Sequence, residues 1–199
     1  MTVSAVIFDW DGTLVDSHEA HFLAMRDTLR DFGLTLERDW ARTHQGTSTE
    51  EAIALLSAEQ SRPLPEPPDA VAKRCTLAYL EHLDQVRPVP WVVDLARSLA
   101  GHVRTAVASG GSAEAIRPTM RALGLADLFP VLVTREDVDH GKPSPDLFLL
   151  AAHRLGAPAD ECLVIEDSDE GVEAARRAGM PVIDVRSSPV RIIHPTAER

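Results

Sequence analysis

The stretch Val3-Ser4-Ala5-Val6-Ile7-Phe8-Asp9-Trp10-Asp11-Gly12-Thr13 is an apolar run that stops at two carboxylates and a glycine. Residues 3–8 are too few for a helix and rich in β-branched side chains, which predicts a buried strand. In a parallel sheet, ligands gather beyond the carboxyl ends of the strands, where Asp9 and Asp11 fall. Side chains two apart on an extended segment point the same way, and Gly12 permits a sharp departure afterwards. Two like charges held close need a cation between them or a proton on one of them. An ordinary Asp-Gly turn fits the segment equally well, so the choice rests on the rest of the chain.

Outward from this stretch, residues 105–108, 131–133, 162–165 and 182–185 are further short β-branched runs. Helical faces lie between the later ones: Ile116, Met120 and Leu123 before Gly124; Leu147, Ala151 and Leu155 before Gly156; Val172, Ala175 and Ala178 before Gly179. Strand–helix alternation with glycine at the helix ends predicts right-handed crossovers and a parallel sheet. The interval 16–85 breaks this rhythm with helical patterns alone. Phe22, Met25, Leu29 and Phe32 share a face that ends at Gly33. Ser48 and Glu51 form a capping box before Ile53 and Leu56. A third helix is expected over 69–83, with a return linker near 86–90. The expected organisation is a core of 1–15 with 86–199 and a helical insertion of 16–85. The tail after Ser187 is expected on the surface.

Composition narrows the partners. Thirty-one acidic against 20 basic residues give the 199-residue chain a net charge of −11, which disfavours nucleic acid and anionic membranes. An apolar fraction of 44% supports a packed core. Cys75 and Cys162 sit among apolar neighbours and read as buried free thiols rather than a disulfide. With no signal peptide and no apolar run long enough to span a bilayer, the reading is a soluble protein of the reducing cytoplasm.

Three more segments carry chemistry at strand ends. Ser109-Gly110-Gly111-Ser112 offers a hydroxyl and free N–H groups at a helix start, suited to a phosphate oxygen, although such turns are also common packing devices. Lys142, on a loop stiffened by Pro143 and Pro145, can neutralise a phosphoryl group or simply be solvated. Glu166-Asp167-Ser168-Asp169 suits a hard cation with oxygen ligands, or caps a helix. All four segments converge on one edge of one sheet, which is more specific than any of them alone.

With these motifs in this order, the chain resembles the haloacid dehalogenase superfamily, in the phosphatase branch related to β-phosphoglucomutase. Residues 89–112 and 141–186 are most similar to bacterial sugar phosphatases acting on fructose 1-phosphate and related esters. The resemblance implies an α/β fold, a Rossmann-like parallel sheet core with an inserted α-helical cap. It also implies Mg²⁺ and a small phosphorylated substrate. Asp9 would be the nucleophile and a metal ligand, and Asp11 the acid and base, with its carbonyl on the metal. Ser109 and Lys142 would hold the phosphoryl group; Asp167 and Glu166 would complete the metal site. Gly12, Thr13 and Gly110 would line the phosphate, and His21, Gln45, Lys73 and Arg74 of the cap would face the organic group. A monomer is the expected state. Dehalogenases of the superfamily lack the second carboxylate, so Asp11 argues against that activity. A phosphosugar mutase is the nearest alternative, but Thr49 stands where its phosphate-gripping arginine would be. A non-enzymatic phospho-ligand module is the other alternative, and it would have no need of both Asp9 and Asp11. Trp10 is expected to pack beside the nucleophile, and Trp40 and Trp91 to pack in the core or between domains.

Overall fold

The computed structural model describes residues 2–44, 47–187 and 192–195. Ala5–Phe8 forms β1 with all four side chains buried, as a strand covered on both faces requires. Past β2 (Val15–Asp16) the chain runs through helices α1 (His18–Asp31), α2 (Arg38–Thr43), α3 (Thr49–Glu59) and α4 (Pro68–Tyr79). It continues through β3 (Arg87–Pro88), α5 (Pro90–Leu99), β4 (Arg104–Ala108), α6 (Ala113–Ala122) and β5 (Val131–Val133). The last elements are α7 (Asp146–Leu155), β6 (Cys162–Glu166), α8 (Asp169–Arg177), β7 (Val182–Asp184) and β8 (Ile192–Ile193). The chain divides into two compact units, Met1–Asp16 with Arg87–Arg199, and Ser17–Val86.

In the first unit, six strands form one sheet in the order β5-β4-β1-β6-β7-β8. β1 pairs in parallel with β4 on one side and β6 on the other, with Phe8 opposite Val107 and Ile165. The chain builds outward from β1 to β5, then returns to the other side of β1 at β6. The strand order therefore reverses at β1, and a crevice forms at such a reversal beyond the carboxyl ends of the strands. Asp9 begins there. The core between the sheet and its helices includes Ile7, Ala106, Val164, Phe148, Leu147 and Ala174. Gly156, at φ +64, ends α7 in the left-handed conformation. Arg104 Nη1 donates to the carbonyls of Leu155 at 2.8 Å and Gly156 at 2.7 Å, satisfying acceptors the helix end leaves over.

The second unit has its own core, in which Leu29, Leu36, Ile53, Leu56, Val71 and Cys75 meet. Ser48 Oγ accepts from Glu51 N at 3.2 Å and so caps α3, a contact worth about 1 kcal/mol. Both cysteines are free and buried, and burial pushes the Cys162 thiol up to about 11. Among the described residues, no helix is long and apolar enough to cross a membrane.

Several elements differ from expectation. The two-residue ribbon β2–β3 and the short helix α2 carry too few residues to show a period. α5 begins at Pro90, inside the expected linker, because proline is accommodated in a first helical turn. The third helix stops at Tyr79 and continues as a tighter turn over Leu80–Gln85, broken at His82. The sheet is not wholly parallel. In the tail, Ile192–Ile193 pairs antiparallel to β7, and Ile193 packs against the core. Trp91 is 43% exposed rather than packed, since α5 turns Val92, Val93 and Ala96 inward.

Candidate active site

Asp9 follows β1 directly, with its N–H donating to Ile165 O at 2.9 Å, so the backbone of β6 holds it at the strand end. It is only 5% exposed, beside the fully packed Trp10. The loop then closes on itself, Gly12 N donating to Val15 O at 2.7 Å. Gly12 is required twice over. Its φ of +86 belongs to the left-handed region, and a Cβ there would collide with the Asp167 carboxylate. Thr13 is fully buried and donates its hydroxyl to Asp167 Oδ1 at 2.8 Å, tying the loop after β1 to the loop after β6.

Lys142 reaches this point from the loop before α7, where its bond to Pro143 is cis. Its Nζ donates to Asp9 Oδ1 at 2.5 Å and Glu166 Oε1 at 2.6 Å, and lies 5.1 Å from the Phe148 ring centre. Glu166, the last residue of β6, is 1% exposed. Expected as a metal ligand, it has both oxygens engaged by protein groups. Oε1 accepts from Lys142 and from Ser168 Oγ at 3.2 Å, and Oε2 accepts from Ser168 N. Ser168 Oγ in turn accepts from Gly171 N at 3.0 Å, capping α8. A Cβ at Gly171 would overlap the Glu166 carboxylate, so this glycine makes room for the lysine's anchor.

Ser109 follows β4, with its N–H on Val133 O at 3.0 Å and its Oγ accepting from Gly111 N at 3.0 Å. A Cβ at Gly111 would stand 3.3 Å from both Ser109 Oγ and Asp11 Oδ2, which places these two groups around the same glycine. A Cβ at Gly110 would meet nothing within 4 Å, so that backbone borders open space.

One edge of the sheet thus gathers Asp9, Asp11, Ser109, Lys142, Glu166 and Asp167. Burial pushes Asp9 up to about 8, with the charges of Glu166 and Asp167 adding to the effect against the pull of Lys142. Burial would lower Lys142, but Asp9 and Glu166 outweigh it and hold the ammonium well above its ordinary value. Four carboxylates thus share this edge with a single ammonium, which contacts two of them, a balance that invites a further cation. Among the described residues, no three His, Cys, Asp or Glu side chains gather closely enough to hold a metal by themselves. Mg²⁺ needs no such group, since one or two carboxylates with substrate and water oxygens suffice. The carboxylates of Asp9 and Asp167 with the backbone carbonyl of Asp11 make an all-oxygen donor set that fits it.

The remaining expected contacts belong to the second unit. The His21 ring stacks on Tyr79 at 4.5 Å. Arg74 pairs with Glu66 at 2.9 Å and lies over the Phe32 ring, and Lys73 beside it is exposed. Gln45 lies outside the described residues. Sequence reasoning missed Gly171 and Phe148. A glycine in the first turn of a helix was a usable signal for the former; an aromatic in an apolar helix face gave none for the latter.

A family model described as a haloacid dehalogenase-like hydrolase matches residues 3–179. The chain is 36% identical over 185 residues to the fructose-1-phosphate phosphatase YqaB of Escherichia coli (strain K12), covering 92% of this chain and 96% of that one. It is 28% identical over 190 residues to the β-phosphoglucomutase of Bacillus subtilis (strain 168), covering 92% of this chain and 83% of the other. Among solved structures, CbbY from Rhodobacter sphaeroides in complex with phosphate matches with a TM-score of 0.83 at 28% identity, covering 91% of this chain and 85% of that chain.

Proposed function

The chain belongs to the haloacid dehalogenase-like hydrolase family, and from this premise we propose that it is a magnesium-dependent phosphatase of small phosphate esters, sugar phosphates first among them. The observation that carries the reading is the contact of Lys142 with the buried Asp9, at the carboxyl end of the central strand of an acidic protein.

In this reading the Asp9 carboxylate attacks phosphorus, forming an aspartyl phosphate as the ester P–O bond breaks. Asp11 donates its proton to the departing alkoxide and then takes one from water. The hydroxide equivalent attacks phosphorus, releasing inorganic phosphate and restoring the Asp9 carboxylate. Splitting the displacement lowers each barrier, and in-line geometry leaves the equatorial oxygens to the surrounding cation and donors. Lys142 and Ser109 hold those oxygens, and the N–H groups near Gly110 add donors. Glu166 fixes Lys142, and Thr13 fixes Asp167. Asp9, the Asp11 carbonyl and Asp167 would hold Mg²⁺, with Glu166 contributing at most through water. When bound, the ion would neutralise phosphoryl charge and favour the ionised form of Asp9.

The second unit serves as the cap in this reading, and His21, Lys73 and Arg74 are its proposed contacts to the organic group; Gln45, the fourth expected contact, lies outside the described residues. The Escherichia coli relative makes fructose 1-phosphate the first substrate to try. The buried free thiols support a reducing cytoplasm, and a monomer is the proposed state. A mutase reading is disfavoured by Thr49, which opens α3 and brings no cation there. The deciding experiment measures phosphate release from a sugar phosphate panel with Mg²⁺, beside conversion of β-glucose 1-phosphate to glucose 6-phosphate. Hydrolysis is expected; isomerisation with little free phosphate would overturn the reading.

A further inference from the structure

Apart from the catalytic edge, the first unit has a cavity of about 370 Å³ against its terminal strand β5. That volume falls at the lower end of small-ligand sites, roughly 300–1,000 Å³. The floor is apolar: Met120 and Phe129 are each 4% exposed, and Leu132 is partly covered. The rim is cationic, made by Arg117, Arg121 and Arg154. In a chain of net charge −11 with 20 basic residues, three arginines around one small cavity is a marked local reversal of sign.

The three arginines are not equivalent. Arg154 is anchored, with Nη1 on Leu132 O at 3.0 Å and Nη2 on Asp137 Oδ1 at 2.6 Å. It shields the open edge of β5, a common use for a charged side chain at a sheet edge. Arg117 and Arg121 lie one turn apart on α6, share a face, and make no ion pair among the described residues. Glu114 and Asp127 are the acids nearest them in sequence, and neither forms a salt bridge with them. Two guanidinium groups with no ion pair among the described residues, over an apolar floor, ask for a ligand that is anionic at one end and apolar at the other.

We infer that the cavity between α6 and β5 is a second binding site, separate from the phosphate-handling edge, for a small amphipathic organic anion: a ring or short apolar body carrying a carboxylate, sulfonate or phosphate. The apolar body fills the space over Met120, Phe129 and Leu132, and the acidic group meets Arg117 and Arg121. Inorganic phosphate alone lacks the apolar half and is a poor occupant.

The test uses two fluorescent probes of nearly the same shape on the full chain. 1-Anilinonaphthalene-8-sulfonate carries the anion, and N-phenyl-1-naphthylamine lacks it. Saturable one-to-one binding of the sulfonate is expected, at least tenfold tighter than the neutral probe and unaffected by millimolar inorganic phosphate with Mg²⁺. In Arg117→Glu/Arg121→Glu, sulfonate affinity should fall at least tenfold while phosphatase activity stays within about twofold. Arg117→Gln/Arg121→Gln, which removes charge without reversing it, should give an intermediate loss if the first variant folds poorly. Equal binding of the two probes, displacement by phosphate, or undiminished binding in both variants would each overturn the inference. Binding of an acidic peptide but not of the sulfonate probe would overturn it in favour of a protein-docking surface.

Discussion

Lys142 Nζ donates to Asp9 Oδ1 at 2.5 Å across 133 residues of chain, and Glu166 holds the same ammonium from the other side at 2.6 Å. These groups are nearly sealed from solvent, with side-chain exposures of 11%, 8% and 1% for Lys142, Asp9 and Glu166. The lysine is thus a fixed positive charge between two buried carboxylates, and the proposed mechanism brings the phosphoryl group to it.

Lys142→Met should remove that charge while keeping most of the side-chain volume. Leaving buried carboxylates without their partner costs on the order of 3 kcal/mol, and losing a positioned cation costs roughly a hundredfold in kcat. Urea unfolding and steady-state kinetics would measure both. An unchanged kcat would remove Lys142 from the reacting group.

Asp9→Asn keeps the volume and removes the nucleophilic charge. Turnover should drop by more than about a thousandfold with the circular dichroism spectrum unchanged. Asp11→Asn should lose most activity as well, because the leaving alkoxide then lacks its proton donor. Full activity in the Asp9 variant would refute the covalent route.

Gly171→Ala separates helix propensity from the site. In an open helix this change stabilises by about 1 kcal/mol. Here the new methyl meets the Glu166 carboxylate, so a net destabilisation of about 1–3 kcal/mol is expected, together with reduced activity. Thermal unfolding reads the sign directly.

Chelation should silence the enzyme reversibly, with activity restored by Mg²⁺. The ion should also raise the melting temperature of the wild type, and less so that of Asp167→Asn, because the ion stabilises only the state that holds its ligands. Activity surviving exhaustive chelation would remove the metal from the mechanism.

Asp184 offers a pH test away from the chemistry. Hydrogen bonding from the Arg186 side chain holds its carboxyl below the usual value, helped by the Arg186 N–H at 2.9 Å. The folded pKa is the lower one, so this contribution is fully present above the unfolded value near ~3.9 and is lost as pH falls through the folded one. Asp184→Asn should therefore be less stable than wild type at neutral pH, and the gap should close in acid. A gap independent of pH would point to packing instead.

Legibility followed the range of the interactions. The strands ending at Phe8, Ala108, Val133 and Glu166 were visible because a β-branched run bounded by polar groups is a local pattern. Ser48 as a cap was visible for the same reason. α2, β8 and the ribbon of Val15–Asp16 with Arg87–Pro88 were not, since two to six residues show no period. Trp91 was misjudged because aromatic size predicts burial only when the helix face is known. Thr13 and Glu166 were read as ligand contacts; that Thr13 also donates to Asp167, and that Glu166 accepts from Lys142 and Ser168, only the packed structure reveals.

By itself the sequence determined which chemistry the chain carries. Asp9, Asp11, Ser109 and Asp167 each sit within a few residues of the end of an apolar strand, and adjacency along the chain is enough to put them at carboxyl ends, whereas Lys142 stands well beyond the end of β5. The tertiary structure decided which of them touch. Strand order is a long-range choice that sequence periodicity does not encode. Only the order β4-β1-β6 sets Asp9 between Ser109 and Glu166, and only the packing of α7 against that sheet brings Lys142 into the crevice to meet them.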